Sequence, residues 1–380
     1  MRRLFYFGIA LLVLFELAHV WLVMPLPGSQ RLPSLDLAYA LHRWRWAVRA
    51  VGAALLLAGL AAAWRAPGRR RWGVPAALAA LAAVAYVTNV EMAADMMFRL
   101  PSRLVMKSAA ESRVDPQRLV VGVEVNGEAR AYPLQFLGYH HQVRDTVGGR
   151  PVLVSYCTVC RSGRVFDPVV GGRAETFRLV GMDHWNAMFE DHSTGSWWRQ
   201  ASGGAVAGPR RGAALRELPS RQTTLRLWLA MHPRSLVMQA DPAALDEYPT
   251  TFDYERGTSR KRLTGTDTAS WAEKAWVVGL ALDGQSRAYD WKRLRRERVV
   301  NDVVGGTPVV LALAPDGASF VAYARPDAET RFALRGDSLV AGGRAWALDG
   351  RGAAGALQPV TAYQEFWHSW RTFHPGTTTY

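Results

Sequence analysis

Val121-Gly122-Val123-Glu124-Val125-Asn126-Gly127-Glu128-Ala129-Arg130-Ala131-Tyr132 places valines at alternate positions before the pair Asn126-Gly127. Alternation with period two marks a strand with one buried face, and Asn-Gly is a strong two-residue hairpin signal. The pattern returns at Val278-Gly279-Leu280-Ala281-Leu282-Asp283-Gly284-Gln285-Ser286-Arg287-Ala288-Tyr289, with Val121 and Val278 standing 157 residues apart. That offset also relates Asp145 to Asp302, Gly148-Gly149 to Gly305-Gly306 and Pro151 to Pro308. Farther on the phase shifts, yet Trp228-x-x-x-His232-Pro233 is echoed by Trp370-x-x-x-His374-Pro375. Two copies of one unit predict a pseudo-symmetric pair, not a solenoid.

Each copy reads as mainly β, with some helix. Gln142–Asp145 and Pro151–Tyr156 predict a strand pair around Gly148-Gly149, and Arg164–Phe166 and Thr176–Val180 flank Gly171-Gly172. A short amphipathic helix should close each copy, near Thr224–Met231 and Ala362–Phe373, where Trp and Leu recur at helical spacing. Residues 248–271 are polar and weakly patterned, and read as the connection. The expected division is an anchor over 1–100, a first β-rich repeat over 110–245, a connection over 246–272, and a second, degenerate repeat over 273–380.

The anchor rests on three apolar stretches. Leu4–Met24 is long enough to span a bilayer core, and Ala47–Trp64 and Val74–Val90 lie near the lower limit. No small-x-small site precedes Pro25, so the first stretch reads as an anchor and not a cleaved signal. Arg2 and Arg3 precede the first span, and Arg65, Arg69, Arg70 and Arg71 separate the second from the third. Both clusters fit the cytoplasmic side, with everything after about Arg99 outside it. Arg31, Arg43 and Arg45 in the intervening loop obey the rule less well. The expected setting is a multi-pass protein of a bacterial inner membrane, its soluble region periplasmic or extracellular, with the lipid bilayer as a partner.

The net charge of +14 follows largely from this topology: residues 1–107 hold 13 Arg and Lys against 4 Asp and Glu. No basic run with interleaved aromatics follows, which argues against nucleic-acid binding. Nothing in the sequence indicates a nucleotide cofactor.

Features present in both copies read as scaffold, and features in one copy as candidates for function. The only two cysteines lie in Tyr156-Cys157-Thr158-Val159-Cys160-Arg161-Ser162-Gly163. At the constant offset Cys157 corresponds to Ala314, and His140-His141 to Glu297-Arg298. The first copy alone therefore owns the thiols and the histidine pair. His140 lies eight residues before Gly148, and Cys157 eight after Gly149, so a hairpin about that turn brings the two ends together.

Around these motifs the chain resembles an uncharacterised bacterial and archaeal family, the domain of unknown function numbered 3179. The resemblance is carried by Asn126–Pro133, His140, Asp145–Val152, Tyr156–Gly163, Thr194–Gln200 and Trp228–Pro233. It covers most of the chain after about residue 110. Asp183-His184-Trp185-Asn186 stands where members commonly show Tyr-Asn-Ser-Asp, and His141 stands where they carry an acidic residue.

Three chemistries compete for the cysteines. Four-sulfur zinc is excluded, since a second Cys pair is lacking. Two thiolates with imidazole suit copper or zinc, which makes Cys157, Cys160, His140, His141 and His184 the candidate ligands. His184 enters because Met182-x-His184 is a soft-donor pair unique to the first copy. A non-catalytic module that binds a protein partner, its Cys pair structural, is the alternative. Thiol–disulfide exchange is the third reading, though the strand-then-long-helix context of such enzymes is missing. Arg161 and Arg164 would lower a thiol pKa, or be solvated strand residues.

Overall fold

The computed structural model describes residues 1–65 and 67–380. Strands Leu119–Val125 and Glu128–Pro133 pair antiparallel, but the first is covered on both faces and not one: every residue except Glu124 is buried, with Trp228 lying over Gly122. A helix Leu134–His140 follows, then strands Gln142–Val147 and Arg150–Cys157. The same order recurs as strands Trp276–Leu282 and Gln285–Asp290, helix Trp291–Glu297, and strands Val299–Val304 and Thr307–Leu313. Further on, strand Ser220–Thr224 with helix Leu225–Met231 matches strand Ala362–Phe366 with helix Trp367–Phe373.

Several positions play one role in both stretches. Tyr132 donates to Asp145 at 2.6 Å, and Tyr289 to Asp302 at 2.9 Å. Arg130 and Arg287 pair with the same two acids. Trp228 lies on Gly122 and Trp370 on Gly279, so close that a Cβ on either glycine would fall 2.3 Å from the indole. His232 and His374 stack on those tryptophans at 4.1 and 3.7 Å between ring centroids.

Contacts divide the chain into two compact units, with the first boundary between Arg99 and Leu100 and later segments interleaved. One holds Leu100–Glu175, Gln200–Gly203 and Ala214–Tyr380; the other holds Met1–Arg99, Thr176–Arg199 and Gly204–Ala213. In the first, a five-stranded sheet is built on the Leu119–Pro133 hairpin and a four-stranded sheet on the Gln142–Cys157 hairpin. A core of aliphatic residues with Tyr132, Tyr156 and Trp228 joins their inner faces. Strand Ala362–Phe366 pairs along Trp276–Phe366 to Leu280–Ala362, so the second amphipathic helix begins only at Trp367. Residues 248–271 are more than a connection, because Arg118, buried among them, binds the carbonyls of Pro249, Thr250 and Thr251 and the carboxylate of Glu255.

The other unit carries three helices long and apolar enough to cross a membrane: Arg2–Val23, Leu35–Trp64 and Gly73–Glu91. The second is longer than its apolar stretch. It starts at Leu35, and at 1.5 Å per residue it outruns a hydrocarbon core of ~30 Å. Its polar first turns are helical because they have a surface to meet: four strands, Phe177–Asp183, Asn186–Asp191, Trp197–Arg199 and Ala205–Ala207. His42 lies 2.6 Å from Glu190, and Tyr39 packs edge-on to Trp197. Arg49 grips Glu16 through two hydrogen bonds, and Asn89 bonds both, so one polar knot ties the three helices.

Candidate functional site

Strands Gln142–Val147 and Arg150–Cys157 pair from Val147–Arg150 at the turn to Gln142–Ser155. One step farther, Tyr156 N donates to His141 O at 2.9 Å. The hairpin thus returns the histidine pair to the cysteine end of the neighbouring strand, as the equal spacings about Gly148-Gly149 require. Neither histidine begins that strand, however. His140 ends the preceding helix, and His141 caps it with φ 59°, in the left-handed region common at helix C-termini.

Both cysteines are wholly buried. Cys157 ends its strand opposite Ser162, and Thr158–Arg161 make the turn between them. That turn has no glycine; the positive φ of 57° falls on Arg161. Arg161 is held there by its side chain. Its Nε donates to Gln364 Oε1, Nη1 to Tyr254 O and Nη2 to Glu255 O, while the guanidinium lies 3.5 Å from the Trp276 ring centroid. Arg164 is buried with Glu365, which binds it directly, and lies over Tyr363. Burial alone would lower its pKa, but Glu365 and Glu217 drive it above the ordinary value. Neither arginine is a solvated strand residue: burial would be costly without these partners.

Residues from the far end of the chain close over the turn. Phe366 N donates to Cys160 O at 2.9 Å, His368 Nε2 meets Val159 O at 3.0 Å, and Tyr254 OH donates to Thr158 O. The corresponding turn, Ala314–Gly317, is engaged from the other direction. Thr224 donates its N–H to Ser319 Oγ at 2.8 Å and its hydroxyl to Asp316. Thr224 and Phe366 are the residues immediately preceding the two matching helices. Each turn is therefore braced from the N-cap of the opposite helix.

The candidate ligands divide between the units. Cys157, Cys160, His140 and His141 share one. His140 is buried, its Nε2 2.6 Å from the Tyr248 hydroxyl. His141 Nδ1 meets Tyr139 O at 3.1 Å, and burial lowers its pKa to about 4, so the ring is neutral at physiological pH. His184 belongs to the other unit, where Nδ1 lies 2.6 Å from Asp183; that bond raises its pKa, and Asp183 also binds Arg199. Among the described residues no group of three or more His, Cys, Asp and Glu side chains is assembled for a metal ion.

Gln364, Glu365 and His368 lie some 200 residues from the turn and strand they hold, and no local pattern connects them to it. The one available signal was the pair of arginines beside the cysteines, which needed partners if buried.

The family described as a protein of unknown function (DUF3179) matches residues 102–377. The chain belongs to this family. The match spans the cysteine turn, both histidines and the residues of 364–368 that close over them. The three helices before it are compatible with a membrane anchor. No curated protein and no solved structure matches the chain.

Proposed function

We propose that this is an extracytoplasmic metal-binding protein, anchored in the bacterial inner membrane by its three helices. In this reading the soluble part is two copies of one β-rich unit, and the first copy binds a soft ion through Cys157 and Cys160. Copper comes before zinc, because a buried pair of thiolates suits Cu(I), and His140 is the third ligand. The observation that carries the proposal is the matched bracing of the two turns. Ala314–Gly317 receives its brace with no cysteine present, so bracing does not require thiols. Their presence in one turn alone then calls for a further role. The arginine clusters at Arg2-Arg3 and Arg65–Arg71 support the orientation.

Complete burial of both sulfurs weighs against exchange with a protein disulfide, which needs an exposed thiolate. Metal analysis of the detergent-purified chain after loading with Cu(I) or Zn(II) is the test, with Cys157→Ser and His140→Ala beside it. One equivalent of metal in the wild type and none in Cys157→Ser is expected. A wild type that takes up no stoichiometric metal, with both thiols titrating after denaturation, removes the proposal. Metal retained in His140→Ala would leave a two-thiolate site without the histidine.

A further inference from the structure

A cavity of about 480 Å³ opens in the soluble unit beside the cysteine turn, within the range that holds small-molecule ligands. Its walls come from both related stretches: Gln117, Thr224 and Arg226 from the first, Trp276, Trp291 and Gln364 from the second. Three features fix what it can hold.

The first is an orphaned donor. Gln364 is 1 % exposed, and two donors, Arg161 Nε at 2.9 Å and Gln222 Nε2 at 3.1 Å, converge on its Oε1. They leave no ambiguity about which end of the amide is oxygen. Nε2 is buried and has no hydrogen-bond partner. A buried amide donor left without an acceptor is costly, and this one belongs to the cavity lining.

The second is unbalanced charge. Arg226, Arg256 and Arg295 line the cavity with exposed side chains. Among the described residues none of the three makes an ion pair: the Arg256 guanidinium bonds the neutral amide of Gln117 and lies over the Phe252 ring. The two lining acids are already engaged. Glu255 accepts from Arg118 and Leu119 N, and Asp316 from Thr224, Ser319 and the backbone of Ala318. The third feature is an aromatic wall, Trp276 and Trp291 with ring centroids 5.8 Å apart.

We propose that this cavity is a binding site for a small organic anion. A carboxylate or phosphate meets the arginines, one oxygen accepts from Gln364 Nε2, and a planar apolar body lies against the tryptophans. Neither thiol lines the site; its lining residues Gln364, Glu255 and Trp276 contact Arg161, the last residue of the cysteine turn.

Titration calorimetry of the full chain in detergent with benzoate, phenyl phosphate and neutral benzamide tests it, the two anions distinguishing a carboxylate from a phosphate ligand. Saturable binding of at least one anion and none of benzamide is expected. Gln364→Glu keeps the oxygen that Arg161 and Gln222 use and replaces the donor with a second anionic oxygen. It should weaken the anion by roughly tenfold or more, the loss of one charge-assisted hydrogen bond. Arg226→Gln with Arg295→Gln, both on exposed side chains with no ion pair to lose, should weaken it similarly, and secures the test if Gln364→Glu fails to fold. Cys157→Ser should bind the anion as the wild type does, which separates this outcome from that of the metal proposal. No saturable anion binding, equal binding of benzamide, or full affinity in the arginine double variant overturns the inference.

Discussion

Arg164 and Glu365 are the most demanding pair of side chains in the soluble unit, at 1 % and 0 % exposure. Removing one partner from a buried ion pair leaves the other charge uncompensated, a loss of about 3–5 kcal/mol, whereas replacing both by apolar groups is often near neutral. Arg164→Leu should therefore lower the thermal unfolding midpoint of the detergent-solubilised chain sharply, and Arg164→Leu with Glu365→Leu should recover most of it. A double variant as unstable as the single would show that the packing, not the pairing, matters here. Gly122→Ala tests a different contact. The new methyl would meet the Trp228 ring, itself 1 % exposed, and overpacking of this kind costs about 1–3 kcal/mol. Positions of this sort are unevenly legible in the sequence. Tyr132 with Asp145, and Tyr289 with Asp302, stand thirteen residues apart in each stretch, and that recurrence by itself marks both acids as scaffold. Arg164 carries no such signal. An arginine near a cysteine reads as a charge acting on the thiol, and only the fold shows that its partner lies 201 residues later.

Hairpins follow from local rules, and the sequence exposes them well: the Asn126-Gly127 and Gly148-Gly149 turns close strands whose registers run as the alternation demands. Helix limits do not follow as closely. An apolar-stretch reading begins the second span at Ala47, but the helix begins at Leu35, because its first turns are stabilised by tertiary contacts that a hydropathy pattern does not contain. The packing of the first two helices also depends on contacts of this kind. A Cβ on Gly59 would fall 2.2 Å from Phe5 N, and one on Gly8 2.6 Å from Leu56 N, so the two backbones meet with only glycine between them. In lipid, such close approach is a main source of helix association, since burial of apolar surface drives nothing there. Gly59→Leu should push these helices apart and lower the yield of monodisperse protein. Ala80→Leu, on an exposed face of the third helix, should not. Equal behaviour of the two variants would mean that the glycine contact does not hold the anchor together.

The division of the chain into units cuts across the sequence order, since 176–199 and 204–213 belong with residues 1–99 and their neighbours do not. No repeat or composition shift announces this, because the segment is joined to the helices by contacts of single residues, aromatic as at Tyr39 with Trp197 as well as ionic. Glu190 is central among them. His42 and Arg178 each reach it at 2.6 Å, Trp197 Nε1 donates to it at 3.0 Å, and Arg178 extends the contact to Asp95. Burial alone would raise the pKa of this carboxyl, but the bonds and charges of His42 and Arg178 outweigh it and hold the value at about 2. A carboxyl whose folded pKa lies below its unfolded one stabilises the fold above the unfolded pKa. That contribution is lost as pH falls, here between about 4.5 and about 2. It amounts to at most about 3 kcal/mol at neutral pH, less where Arg178 is open to solvent. The unfolding midpoint of the wild type should therefore drop through this window. Glu190→Gln should start lower at neutral pH and change less across it, because the amide cannot take up the proton. If both proteins lose stability in parallel from pH 4.5 to 2, the acid sensitivity belongs to other carboxylates. Glu190 would then be a passive contact between the strands and the second helix.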